Sequence, residues 1–332
     1  MNNLNFKIDE EKCINCGLCA KDCIMGCITF GEDKKPSMTY PNGCIKCQHC
    51  LAICPVGAIS ILDKTSDNSD KIYVQNPDMI LNLIKSRRSN RLYKKENVCK
   101  DDINKLKEML AFVPTGCNFN GLHYSFIEDI EVMNDFRKHV NEKILNALTK
   151  KPIKAVVERF AMFKKFLLEG DDVLFRGAPH MIVVSNSIKA PCVKEDPIIA
   201  LSYFELYAQS LGLGTCWCGL VQGALMLFPE LSEYLEIPEG YQPSYVMLFG
   251  QKEANYQRTT QPNLASITTV QKKEFEKLSA KETIKRYKKF IRTPQKIRGI
   301  INFYYFKGEF LEWLKYYDKG TLIKNIDIKE LV

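Results

Sequence analysis

Two runs of this chain share one spacing: CINCGLCAKDC at residues 13–23 and CIKCQHCLAICP at residues 44–55. Cys13, Cys16, Cys19 and Cys23 stand as C-x2-C-x2-C-x3-C, and Cys44, Cys47, Cys50 and Cys54 repeat the pattern with Pro55 behind them. A shift of 31 residues carries Cys13 onto Cys44 and every other member of the first set onto the second. Self-similarity at one fixed offset marks an internal repeat of two half-domains.

The spacing explains itself through coordination chemistry. Three thiolates two residues apart wrap one corner of an iron-sulfur cube within a tight loop, and the fourth has to arrive from a distant turn. This run is the bacterial 4Fe-4S signature, in which each fourth cysteine ligates the other half's cluster. It assigns Cys13, Cys16, Cys19 and Cys54 to one cluster, and Cys44, Cys47, Cys50 and Cys23 to the other. Zinc usually takes two C-x2-C pairs across a longer gap, and a disulfide framework needs secretion. Residues Met1 to Glu11 are polar and lack an apolar signal core. Cys27 falls on Ala58 under the same shift and reads as a small core residue, and His49 as a solvated side chain. Neither belongs to the ligand sets.

The chain has 332 residues, 45% hydrophobic and 26% charged, enough for a substantial core beyond the cysteine-rich part. Fourteen cysteines without a secretion signal suit a reducing cytoplasm. No stretch approaches the roughly 20 apolar residues that span a bilayer. Between Lys272 and Arg298 stand eleven basic and three acidic residues, so this segment alone matches the chain's net charge of +8.

Four segments follow: a two-cluster domain at 1–62, a polar linker at 63–76 (DKTSDNSDKIYVQN), a larger domain at 77–265 and a basic, aromatic-rich extension at 266–332. Alternation of Phe6, Ile8, Ile28, Phe30, Ile59 and Ile61 predicts short strands around the cysteine loops. A helical pattern begins at Pro77, and a second helix covers 103–112. Strands are expected at 124–127, 181–185 and 244–249, a charged helical region that could cover a site at 131–170, and a long helix at 197–211 that stops at Gly212-Leu213-Gly214. Strands interspersed with helices, without regular βαβ alternation, predict an α+β domain.

Arg87, Arg88, Ser89 and Arg91 place three guanidinium groups and a hydroxyl within five residues. Such a set suits a phosphate monoester, and equally a solvated helix end. Gly212-x-Gly214 follows a helix rather than a strand, so a dinucleotide loop fails on context. Cys216 and Cys218 form only a C-x-C; with Cys117 they admit a redox reading, but small packed thiols account for them better.

The runs SRRSNRLY (86–93), PTGCN (114–118), RGAPHMIVV (176–184) and LGLGTCWCG (211–219) stand in the order and spacing of the nitroreductase family of FMN flavoproteins. The chain as a whole resembles the subgroup with an N-terminal two-cluster ferredoxin domain, over about residues 1–260. The resemblance implies a nitroreductase-like domain, a central mostly antiparallel sheet with helices, preceded by a small ferredoxin-like domain. It implies that Arg87, Arg88, Ser89 and Arg91 grip the FMN phosphate and ribityl chain, that Asn118 meets the isoalloxazine edge, and that Trp217, Cys218 and Gly219 lie beside the ring. It also implies a homodimer with FMN at the interface, the helix at 197–211 forming much of the contact and Asn118 serving its own or the partner chain's flavin. The chain departs from many relatives after its last strand, where Gly250-Gln251-Lys252 and Gln261-Pro262-Asn263 replace the family's Gly-Tyr-Pro and Arg-Lys. Arg258 is the candidate for the missing positive charge.

The expected function is a cytoplasmic iron-sulfur flavoprotein oxidoreductase with two 4Fe-4S clusters and FMN, and with no catalytic side chain because the flavin carries the chemistry. Its donor would be reduced ferredoxin or NAD(P)H, and its acceptor a nitro compound, quinone or activated alkene. Two other readings stay open: an electron-relay module without a small-molecule substrate, and a cluster-based redox sensor. The basic extension reads as lysines on the solvated face of packed aromatics, with an amphipathic helix drawn to anionic lipid or an acidic donor as the rival. No binding motif accompanies it, which argues against nucleic acid.

Overall fold

The computed structural model describes residues 4–31, 35–149 and 154–273. The extension foreseen at 266–332 therefore falls largely outside the described residues. Met1–Pro262 form one compact unit and Asn263–Val332 a second.

The cysteine-rich part is built twice over. Strand β1 (Lys7–Ile8), helix α1 (Leu18–Lys21) and strand β2 (Ile28–Phe30) precede strand β3 (Pro36–Met38), helix α2 (His49–Ala52) and strand β4 (Ile59–Ser60). β1 pairs with β4 and β2 with β3, both antiparallel. The 31-residue repeat is visible in the backbone: left-handed positions at Asn15, Gly17 and Gly26 recur at Lys46, Gln48 and Gly57. Leu4, Ile28, Leu51, Ile59 and Ile61 pack with Cys19 and Cys50 into a small core of their own.

The larger part begins with helix α3 (Pro77–Ser86), whose first turn is closed by the Asn76 side chain accepting from the Asp78 N–H. Pro77 occupies the first helical position, where no N–H is needed. Then come α4 (Lys100–Met109), β5 (Leu122–Ile127), α5 (Ile130–Thr149), α6 (Lys154–Phe160), α7 (Lys164–Glu169) and β6 (His180–Ser187). The last elements are α8 (Glu195–Ser210), β7 (Leu213–Trp217), α9 (Gly219–Leu227), α10 (Glu230–Tyr234) and β8 (Tyr241–Gln251). One four-stranded sheet in the order β5-β6-β8-β7 results, antiparallel throughout, as the α+β expectation requires.

Alternation along the two central strands makes this a three-layer body. Met181, Val183, Val246 and Leu248 point to one face, where α5, α6, α7, α9 and α10 supply Phe136, Val140, Phe160, Leu167, Val221 and Leu231. Ile182, Val184, Met247 and Phe249 point to the other, against Leu106 of α4 and Leu201, Phe204 and Ala208 of α8. Burial on both faces is why Met181–Val184 reads as an unbroken apolar run. The region 131–170, expected to cover a site, instead contributes some of the most deeply buried side chains, Met133, Phe136, Ile144 and Phe160. Its amphipathic turns found a sheet face to pack on.

β7 is the element that the sequence reading lacked. Gly212, at φ 81°, ends α8 as expected, but Leu213 onward does not stay a loop. It extends and pairs with β8, Thr215 opposite Phe249 and Trp217 opposite Met247.

Candidate functional site

The first cysteine set surrounds a void. Cys13, Cys16, Cys19 and Cys54, with Ile14, Leu18, Phe30 and Val56, line a partly open cavity. Among the described residues no group of three or more His, Cys, Asp or Glu converges closely enough to hold a metal ion; four thiols line this space together. Cys54 lines the same cavity as Cys13, Cys16 and Cys19. Burial, then the charges of Cys16 and Cys54, raise the pKa of Cys19. Burial likewise pushes Cys50 up to about 11, with Cys47, Cys44 and Cys23 adding to it.

Backbone donors aim at the sulfurs with the same repeat. The Cys27 N–H donates to Cys23 Sγ at 3.3 Å, and the Ala58 N–H to Cys54 Sγ at 3.2 Å. The Lys46 N–H donates to Cys44 Sγ at 3.4 Å. Hydrogen bonds of this kind stabilise thiolate charge and set the potential of a cluster. Cys27 itself is fully buried, its thiol pushed up to about 12 by burial first and by Cys23 next. His49 is exposed and pairs with Asp22 at 3.3 Å.

The arginine run lies on the sheet edge. Helix α3 ends at Ser86, and the following residues run extended beside β7: Ser89 bridges to Thr215, and the Asn90 N–H donates to Thr215 O at 2.7 Å. Gly214 is required at this approach, because a Cβ there would stand 2.6 Å from the buried Asn90 side chain. Tyr93 is buried, and its hydroxyl donates to Asn90 O at 2.9 Å.

This docking gives each arginine a different neighbour. Arg87 Nη1 donates to Glu205 Oε1 at 3.0 Å, and the same carboxylate accepts from Thr215 Oγ1 at 3.4 Å and from Trp217 Nε1 at 3.0 Å. Glu205, on α8 and only 6% exposed, is thus a hub that sequence reasoning missed. Arg91 and Arg176 both face Cys216, where burial raises the thiol pKa and the two guanidinium charges oppose that rise. Arg88 reaches Thr260 Oγ1 at 3.1 Å.

Arg88 also lines a second, partly open cavity with Ser86, Asn90, Gln209, Gly214, Lys252, Asn255 and Tyr256. Two cations among hydroxyls and amides make a donor set suited to a phosphorylated polyol. Burial lowers the Lys252 pKa. Lys252 therefore stands in the cavity, whereas Arg258, the sequence candidate, is exposed and does not line it. Only the departure from the family pattern at 250–252 pointed toward this residue.

Trp217 and Tyr245 meet edge to face, centroids 5.3 Å apart. Gly219 opens α9, with the Tyr245 hydroxyl 3.2 Å from where its Cβ would stand. Cys218 is buried, donates to Leu174 O at 3.3 Å and is pushed up to about 12 by burial, so it packs rather than reacts.

Asn118 sits elsewhere, in a loop where Cys117, Asn118 and Asn120 are all left-handed. The loop is tied down by the buried Asp196, which accepts from the Gly116 N–H at 2.9 Å, and by Thr115 Oγ1, which accepts from the Asn120 N–H at 3.0 Å. Asn118 Nδ2 donates to Ile45 O at 2.9 Å, between Cys44 and Cys47.

Comparison with known proteins agrees with this anatomy. Residues 12–58 match the model described as 4Fe-4S dicluster domain. No curated protein matches. Among solved structures, an FMN-bound nitroreductase from Bacteroides fragilis is 26% identical, covering 59% of this chain and 100% of that one at a TM-score of 0.48. An FMN-bound nitroreductase from Desulfitobacterium hafniense is 24% identical over 60% and 100%, TM-score 0.47. An FMN-dependent nitroreductase from Clostridium difficile is 23% identical over 59% and 100%, TM-score 0.45. Residues 84–251, half of the chain, match the family model described as Nitroreductase family; the chain belongs to the nitroreductase family.

Proposed function

We propose that this chain is an FMN-dependent iron-sulfur oxidoreductase of the cytoplasm, taking electrons through two 4Fe-4S clusters and passing them to an organic acceptor such as a nitro compound, a quinone or an activated alkene. The observation that carries the reading is the presence, in one compact unit, of a cysteine-ringed cavity and a family-typical body with its own cationic cavity. The donor is reduced ferredoxin or NAD(P)H.

The residues divide the work. Cys13, Cys16, Cys19 and Cys54 hold one cluster, and Cys23, Cys44, Cys47 and Cys50 the other. Arg88 and Lys252 hold the FMN phosphate, with Ser86, Asn90 and Tyr256 along the ribityl chain. Ser89 and Arg91 complete the cradle, Arg258 adds positive charge to the same end of the chain's last strand, and Trp217, Cys218 and Gly219 border the ring. Glu205 ties Arg87 to Trp217, so the phosphate end and the ring end of the site move together. Bound FMN supplies the exchange between single-electron donors and a two-electron acceptor. Excluding water and fixing the ring is the protein's share.

The working form is a homodimer. Its support is the face that α3 presents: Met79, Ile80, Leu81 and Ile84 are all exposed, beside exposed Ile198, Tyr203 and Tyr207 of α8. A solvated helix does not ordinarily carry so continuous an apolar stripe.

Anaerobic purification tests the reading. About eight irons and one FMN per chain are expected, the irons from two cubes of four, together with flavin bleaching on mixing with reduced ferredoxin or NADH in separate runs. A chain that takes up neither iron nor FMN overturns it.

A further inference from the structure

The two halves of the cysteine repeat are equivalent in sequence but not in surroundings. Ile14 and Ile45 occupy the same position, one residue after the first cysteine of each set. Ile14 is 61% exposed, and Cys16 beyond it is exposed too. Ile45 is half-buried, as is Cys47. At the second position the Asn118 amide donates to Ile45 O at 2.9 Å, a contact that ties the 44–47 peptide to the larger part of the chain.

That contact is built rather than incidental. Cys117 and Asn118 are held together in left-handed backbone, a conformation that Asn accepts but that Cys rarely adopts. The loop is kept there by Asp196 on Gly116 and by Thr115 on Asn120, and Asn120 Nδ2 donates back to Asn118 O at 2.9 Å. The strain positions an amide at the peptide between two cluster ligands.

We infer that Asn118 is a positioning residue that gives the cluster pair a direction: the set Cys23, Cys44, Cys47, Cys50 is the inner one, seated on the flavin-binding body, and the set Cys13, Cys16, Cys19, Cys54 is the outer one, open to an external carrier. This rests on the reading of the chain as a cluster-fed flavoprotein. Each electron given up by a reduced carrier protein reduces the outer cluster by one. With clusters held by the two sets, each electron lost by the outer one would be gained by the inner one, and each lost by the inner one would be gained by the flavin. Exposed Ile14, Leu18 and Val56 around Cys16 form the apolar rim that such a carrier would cover.

Asn118→Asp tests the assignment, because Asp tolerates the left-handed backbone yet turns a carboxylate oxygen, rather than an N–H donor, to the Ile45 carbonyl. Asn118→Ala serves as the second variant. Hydrogen exchange on cluster-loaded full-length protein is expected to quicken at least fivefold over residues 44–48 and to stay unchanged over 13–17. Rapid mixing with dithionite is expected to bleach the clusters at the unaltered rate and the flavin about tenfold more slowly. Equal quickening in both loops, or in neither, overturns the assignment even if electrons still reach the flavin. In the unaltered protein, clusters that reduce while the flavin stays oxidised would instead overturn the cluster-fed reading beneath it, and the exchange measurement separates the two failures.

Discussion

Replacing Glu205 tests how the site is held. Its carboxylate accepts three side-chain donors, Arg87 at 3.0 Å, Trp217 at 3.0 Å and Thr215 at 3.4 Å, from a position 6% exposed. In Glu205→Ala all three lose their acceptor. A hydrogen bond to a charged group contributes about 1.5–3 kcal/mol and a neutral one about 1. The Arg87 side chain is 35% exposed and regains water, which reduces its share to roughly 1 kcal/mol. The total comes to about 3 kcal/mol, which in a body of this size lowers the melting midpoint by roughly 6–12 °C. Glu205→Gln keeps the shape and one acceptor but points an amide N–H at a donor, and is expected to lose about half as much. Calorimetry on the reconstituted protein gives the midpoint. Trp217 emission gives the local effect once Trp313, the second of the chain's two tryptophans, is replaced by Phe. An alanine variant that melts within about 1 °C of the parent, with unaltered Trp217 emission, refutes the idea of a hub.

Three further perturbations follow from the geometry. His180 is fully buried, with the Val98 N–H donating to its Nε2 at 2.9 Å, and burial lowers its pKa to about 4. Because the unfolded chain binds the proton near pH 6.5, the stability that His180 contributes is complete above that pH and is lost on acidification toward pH 4; the unfolding free energy from urea titration should fall by about 2 kcal/mol at pH 5, and by much less in His180→Gln. Lys252→Met removes one of the two cations lining the second cavity and should weaken FMN binding about tenfold or more by fluorescence titration, with Arg258→Met having a smaller effect. Ile84→Glu on the exposed face of α3 should convert a dimer to a monomer in light scattering without changing the fold by circular dichroism.

Much of this anatomy is legible in the residues because covalent spacing carries it. Two- and three-residue gaps between cysteines fix which thiols share a loop, and the 31-residue offset reappears in the left-handed positions of the backbone. The apolar run at 181–184 declares a strand buried on both faces. What stayed hidden depends on long-range pairing. β7 starts behind Gly212, which reads as a helix stop, and is a strand only because β8 lies beside it. Glu205 looks like an ordinary charge on α8 until the 87–91 segment folds back 118 residues to meet it. Asn118 and Ile45 lie 73 residues apart, and nothing in either neighbourhood names the other. Lys252 was overshadowed by Arg258, because a charge just past the end of β8 shows its cavity only once that strand is placed.

The proposed exchange of fourth cysteines has a further consequence. Cys54 sits among the sulfurs of the first half and Cys23 among those of the second, so each half fastens its neighbour as two hooks of a clasp do. With two clusters held as proposed, a half would not mature by itself, and oxygen that strips one cube would also free a loop that supplies a ligand to the other. Insertion of iron and sulfide should be all-or-none, and damage to either cage should cut the supply of current as a fuse does.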